Sequence, residues 1–214
     1  MTQKERQERS REQIYRAALE EFGTHSYDAV TMERICAGHG ISKGMMYHYY
    51  SGKEELFLLC AGRVFDGLTA RIRQDLRELP PRDVLNTIKD YFMIREYYFE
   101  LHPLEKAVFE TAMLHAPAEL RAQIRELRAP LRELNREFLD EQIARMPLRP
   151  GLSRREVMHY LECVEHQLGG LMRSYQEGEA VDLHTMLTSA ERLLDLLLFG
   201  VLRQDAGDGA PTGG

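Results

Sequence analysis

Tryptophan is absent from the chain, and cysteine is scarce at 3 in 214 residues. Cys36, Cys60 and Cys163 are odd in number, far apart and without C-x-x-C spacing. They offer neither a disulfide framework nor a thiolate zinc site, and a reducing cytoplasm is the compartment that fits. Proline is sparse too, with 8 residues that fall mostly between blocks of helix length. Sustained period-two alternation of apolar residues is missing, which excludes sheet as the main architecture. No apolar run nears the roughly 18 residues needed to cross a bilayer. The N-terminus opens on the charged run MTQKERQERSRE rather than an apolar leader. An excess of positive charge is lacking as well, the net charge being −6. Taken alone, that balance speaks against a polyanionic partner. The length suffices to bury a sizeable core, so no metal, cofactor or crosslink is needed for folding.

What remains is helix-period patterning, and the chain reads as all-α. Ile14, Ala17, Ala18, Leu19 and Phe22 share one face of a helix over about 3–22, expected to stop at Gly23. Short helices at about 31–38 and 42–49 flank the turn Gly38-His39-Gly40. The run Ser51-Gly52-Lys53-Glu54 reads as a capping box opening a helix that ends before Pro80-Pro81. Further helices are expected over 82–101, 104–115, 118–145, 153–176 and 183–203, with a break or kink at Pro130 and a second capping box at Ser153 and Glu156. The stretch 204–214, rich in glycine, is expected to be a disordered tail.

Charge is distributed unevenly. From Arg34 to Lys53 the chain carries Arg34, Lys43 and Lys53 and no acidic residue, a small positive surface set into an acidic protein. Within it, two short helices joined by a glycine turn form a helix-turn-helix, whose second helix fits the width of a major groove. Thr31 and Ser42 stand at the two helix N-termini, where hydroxyls and free backbone N–H groups meet phosphate oxygens. Lys43 opens the second helix, and Gly44 removes a side chain where backbone approaches bases. Tyr47 and His48 follow one turn later, and Lys53 opens the next helix as a point charge. Ile35, Ile41, Met46, Tyr50 and Leu56 supply an apolar side that locks these helices together.

The segments IYRAALEEFG, TMERICAG, GISKGMMYHYY and SGKEEL resemble, in order and spacing, the DNA-binding domain of the TetR (tetracycline repressor) family. The resemblance implies a three-helix DNA-binding domain over 10–60, and a helical ligand-binding and dimerisation domain over 61–203. The function it implies is non-enzymatic: a homodimer that binds double-stranded operator DNA and answers to a small-molecule effector, with repression the default outcome. Carried over by position, Thr31, Ser42, Lys43, Tyr47, His48 and Lys53 become the phosphate and base contacts. Met45 departs from the small polar residue often found there and suits a thymine methyl. His39 departs from the small residues of the turn and has no assigned role.

In the remainder, helix 82–101 holds Tyr91, Phe92, Met93, Tyr97, Tyr98 and Phe99 on every side and is expected to be buried all round. With Phe109 and Met113, Tyr91 and Tyr98 would line a pocket for an apolar or aromatic molecule, although plain core packing serves each residue equally well. Arg95, His102 and His115 are its candidate polar groups. The apolar stripe of 183–203 and Gly169-Gly170 in 153–176 suggest a four-helix dimer interface, hence a palindromic operator. Effector binding is expected to shift the helix over 53–79. The rival reading is a di-iron bundle enzyme, because Glu156-x-x-His159 matches a ligand pair and His159, Glu162 and His166 share a face. Against it, Glu156 is better used as a capping residue and no second E-x-x-H occurs.

Overall fold

The first helix begins where its orphan N–H groups find side chains. Glu5 N–H donates to Thr2 Oγ1 at 3.2 Å, and Thr2 N–H donates to Glu5 Oε2 at 2.8 Å. In the computed structural model, which describes residues 2–80 and 82–163, this helix, α1, spans Gln3–Thr24. It passes through Gly23 rather than stopping there. Gly23 serves close packing instead, since a Cβ added to it would lie 2.8 Å from Leu104 Cβ.

The expected helix-turn-helix follows. Thr31 accepts from Arg34 N–H at 3.1 Å and caps α2, Met32–Gly38; Ser42 accepts from Met45 N–H at 3.1 Å and caps α3, Lys43–Tyr49. Gly40 takes the left-handed conformation at φ 63°, and Ile41 N–H returns to Cys36 O at 3.0 Å. That is a Schellman-type helix end, which glycine adopts without a Cβ penalty.

The fourth helix, α4, spans Lys53–Glu78. Here the expected capping box shifts by one residue. Ser51 donates through its N–H (2.8 Å) and its hydroxyl (3.0 Å) to Glu55 Oε2, not to Glu54. Because α4 begins at Lys53, Ser51 stands one residue further out than a cap and needs the longer reach. Phe57 of α4 meets Phe22 and Tyr27 edge-on at centroid distances of 5.2 and 5.1 Å. Such pairs contribute about 0.5–1.5 kcal/mol each beyond the apolar area they bury.

Asp83 accepts from Asn86 N–H at 3.0 Å ahead of α5, Val84–Leu101. Pro103 opens α6, Pro103–Leu114, at a position where its missing N–H costs nothing. A short 3₁₀ turn at Ala118–Leu120 leads into α7, Arg121–Leu127, and α8, Ala129–Ala144, so the break attributed to Pro130 falls one residue ahead of α8. A further helical stretch, described over 154–163, starts at the expected box: Ser153 N–H and Oγ–H donate to Glu156 Oε2 at 2.8 and 2.6 Å, and Glu156 N–H returns to Ser153 Oγ at 3.3 Å. All regular elements of the described residues are helices. None of these is long and apolar enough to cross a membrane. The rest of 153–176 with Gly169-Gly170 and His166, the apolar stripe of 183–203 and the tail 204–214 lie outside the described residues.

Two compact units emerge. The first joins the residues up to Arg77 with Ile94–Leu134, and in it α6 lies along α1. The unit that holds the helix-turn-helix therefore extends well past residue 60. The second joins Glu78–Met93 with the described residues from Asn135 onward. Its core stacks Tyr91 on Phe138 at 4.0 Å, bonds the Tyr91 hydroxyl to Asn135, and buries Ile88, Leu139, Ile143, Val157 and Leu161. Helix α5 is not buried all round. Tyr97, Glu100 and Leu101, spaced by three and four residues, form an outward side with Leu101 71% exposed.

Candidate functional site

Helix α3 is held from below and open above. Met46 is fully buried and anchors it, whereas Lys43, Gly44, Tyr47 and His48 are exposed and Met45 is half-buried. A Cβ on Gly44 would meet nothing within 4 Å, so the chain's own packing does not require glycine there. Ser42 already spends its oxygen on Met45 N–H, as Thr31 does on Arg34 N–H, which leaves their hydroxyl protons for an outside acceptor. The open face carries an acid as well: Glu33 of α2 accepts from the Tyr47 hydroxyl at 3.4 Å and lies 3.7 Å from Lys43 Nζ. Sequence reading missed it because Glu33 precedes the acid-free segment by one residue, and only the crossing of α2 and α3 brings it onto that face.

Arg34 and Lys53 stand differently from the other candidates. Arg34 Nε is 2.5 Å from Glu21 Oε2 and its Nη2 is 2.5 Å from His25 Nε2. Glu21 is buried, and His39 also turns toward it, with Nε2 3.5 Å from Glu21 Oε1. The turn histidine thus belongs to a cluster tying α1 to α2. Lys53 donates to Tyr27 O at 3.1 Å and sits 4.4 Å from the centre of the Tyr27 ring. Burial pushes the Tyr27 hydroxyl up to about 12. His25 Nδ1 lies 3.5 Å from Glu21 Oε2 as well, and nothing in the local run Glu20-Glu21-Phe22 signals that Glu21 receives three basic partners.

A second network ties α1 to the helices that follow. Arg63 donates to Glu12 at 2.6 Å and lies 4.0 Å over the Tyr15 ring. Its guanidinium holds the Glu12 carboxyl below the ordinary carboxylate range. The Tyr98 hydroxyl donates to Glu105 and crowds Gly67, where a Cβ would lie 2.9 Å from it. Burial, with that hydrogen bond, pushes the Tyr98 hydroxyl well above its usual range.

The effector candidates divide between the two units. Tyr91 belongs to the core of the second unit, while Arg95, Tyr98, His102, Phe109 and Met113 belong to the first. Arg95 pairs with Glu96 at 3.2 Å. His102 is the exposed residue ahead of α6 and His115 the exposed residue after it. Phe109 packs edge-on against Phe65 at 5.7 Å. Met113 alone among them lines a cavity of ≈ 390 Å³ in the first unit, at the lower end of ligand-pocket volumes. Its other walls include Arg121, Arg125, Arg128 and Arg132, so it is richer in positive charge than the aromatic pocket expected.

Of the residues named for the rival reading, Glu156 caps its own helix. Hydrogen bonds from Ser153 occupy the Glu156 carboxylate and hold it below the ordinary range. His159 Nε2 lies 3.9 Å from Cys163 Sγ. Burial raises the thiols of Cys36 and Cys60, the latter to about 12, which leaves little thiolate at either.

Residues 14–60 match the family described as "Bacterial regulatory proteins, tetR family". Over 67 residues the chain is 40% identical to the HTH-type transcriptional activator FasR of Mycolicibacterium smegmatis, 31% of each protein. The chain therefore spans about a third of that relative. The fold is similar to the fatty acid degradation regulator FadR of Bacillus halodurans (TM-score 0.71, 19% identity, 92% of this chain and 97% of that one). It is also similar to FadR of Bacillus subtilis in complex with stearoyl-CoA (TM-score 0.67, 18% identity, 88% and 97%).

Proposed function

From the match of residues 14–60 to the tetR family, we propose that the chain is a TetR-type transcriptional regulator, a homodimer whose grip on a palindromic operator is set by a small-molecule effector. The observation that carries this reading is the outward side of α3. Lys43, Tyr47 and His48 surround a glycine with open space above it, over a rigidly buried Met46. That shape suits a helix laid in a major groove: Lys43 takes a phosphate as a point charge, Tyr47 and His48 offer hydrogen-bonding tips to base edges, and Met45 offers an apolar one to a thymine methyl. Ser42 and Thr31 add hydroxyl donors to phosphates at the two helix starts. Arg34 and Lys53 serve first to hold the domain together and act on DNA by their field.

Dimerisation would set the two reading helices about 34–36 Å apart, one helical turn of DNA, or a multiple of that spacing. Repression or activation then follows from where the operator lies relative to the promoter; FasR is an activator. Effector control is supported by the fold's similarity to a regulator solved with stearoyl-CoA. A ligand can loosen DNA only by binding the two conformations unequally. Two routes could carry that difference to the reading head. One is α4, which begins next to it; the other is α6, which runs along α1.

The test is affinity for the DNA upstream of the chain's own gene against random DNA, with Lys43→Ala and Tyr47→Ala alongside. The wild type should prefer the upstream DNA by roughly 10³-fold or more. Lys43→Ala should weaken all DNA binding and lower the salt slope by about one, and Tyr47→Ala should erode the preference itself. A wild type without preference, or a chain that sediments as a monomer at micromolar concentration, overturns the proposal.

A further inference from the structure

Several of the described arginines sit in ion pairs. Arg16, Arg34, Arg63, Arg71, Arg82 and Arg95 each have a carboxylate oxygen within 4 Å. The cavity at the end of α6 gathers four others. Arg121, Arg125, Arg128 and Arg132 recur every three or four residues through α7 into α8, which points them along one side, and no acidic residue lines the space. Among the described residues, Arg121, Arg125 and Arg132 have no carboxylate within ion-pair distance. Arg121 is steadied by donating to Ala116 O at 3.3 Å, and Arg128 is half-buried. In an acidic protein, guanidinium groups gathered one turn apart repel each other, unless an anion from outside joins them. Apolar surface meets the same space, from Ile124, buried on α7 itself, and from Met113 and Leu114 at the end of α6.

We propose that this cavity binds an amphiphilic small molecule by a phosphate head, the arginines taking the head and Met113, Leu114 and Ile124 the apolar portion. The inference rests on the effector reading above and gives it a chemical class. A monocarboxylate is satisfied by one bidentate arginine. A phosphate monoester presents three terminal oxygens and up to two negative charges, which uses the guanidinium row more fully. The site is also placed to matter. Met113 and Leu114 end the same helix that runs along α1, so a head group drawn to the arginines would pull on the helix that supports the reading domain.

The test uses the full chain without DNA and three probes of one tail length: decyl phosphate, decanoate and 1-decanol, titrated calorimetrically below their aggregation concentrations at low salt. Decyl phosphate should bind roughly tenfold or more tighter than decanol, with decanoate between them. Arg125→Gln/Arg132→Gln should lose roughly tenfold in affinity for decyl phosphate and leave decanol binding unchanged, whereas Arg9→Gln/Arg73→Gln should change neither. Equal affinities for the three probes, no binding, or full affinity in the Arg125/Arg132 variant overturns the inference. If that variant fails to fold, as a melting curve would reveal, the ranking of probes on the wild type decides. Failure here leaves operator binding untouched, and failure of operator binding leaves this ranking standing, so the two outcomes separate.

Discussion

Gly23 of α1 and Leu104 of α6 stand so close that an added Cβ on the glycine would lie 2.8 Å from Leu104 Cβ and 2.9 Å from its Cα. The nearer obstacle includes backbone, so no rotamer change relieves it.

Gly23→Ala should therefore destabilise the chain. Alanine gains about 1 kcal/mol in helix propensity, but the overlap costs about 1–3 kcal/mol, and the overlap should win. Urea denaturation reads the balance. A variant as stable as the wild type, or more stable, would show that α6 stands off from α1 in solution.

Glu33→Gln should strengthen DNA binding. The carboxylate touches Lys43 and Tyr47 on the face assigned to DNA, where it repels phosphates and competes for the lysine. Affinity for any duplex should rise about threefold at low ionic strength and converge with the wild type in high salt. Weakened binding would mean that Glu33 positions Tyr47 and does more good than harm.

The Glu12 and Arg63 pair makes a prediction about acid. Arg63 lowers the folded-state value of Glu12 below its ordinary 4.5, so the pair contributes stability that is present above that value and lost as pH falls through the depressed one. Both side chains are 41% exposed, which keeps the contribution below about 1 kcal/mol. Glu12→Gln should thus melt earlier than the wild type at neutral pH, with the gap closing under acid conditions. A gap that stays constant with pH would assign the effect to packing.

Thiol reactivity should divide the cysteines. Cys36 and Cys60 are buried and their thiols are raised, while Cys163 is exposed. With Ellman's reagent at mildly alkaline pH, the native chain should react at Cys163 and release the other two only in denaturant. Rapid native labelling of Cys60 would show that its site opens to solvent in the native chain.

Legibility in the sequence followed the range of each interaction. The helix starts at Thr31, Ser42 and Ser153 were readable because a capping residue and its target are three residues apart. Even there the box at Ser51 slipped to Glu55, since its partner is set by where α4 begins. The partners Glu21 and Glu33 were not readable. Arg34 finds Glu21 across 13 positions and Tyr47 finds Glu33 across 14, distances at which spacing says nothing. The four cavity arginines have helical spacing, yet on the page they resemble any solvated stripe. What turns them into a wall is the end of α6, which the fold brings opposite. The aromatic residues of α5 are conspicuous because size and apolarity are local properties, whereas concavity is not.

Because α1 is clasped by α6 inside one compact unit, the reading head is not a detachable cassette. A chimera spliced at residue 60 to borrow the proposed operator preference would leave Gly23 facing a foreign helix and expose the side of α1 that α6 now covers. A graft that carries Ile94–Leu134 along keeps that clasp, and transplants the arginine wall with it.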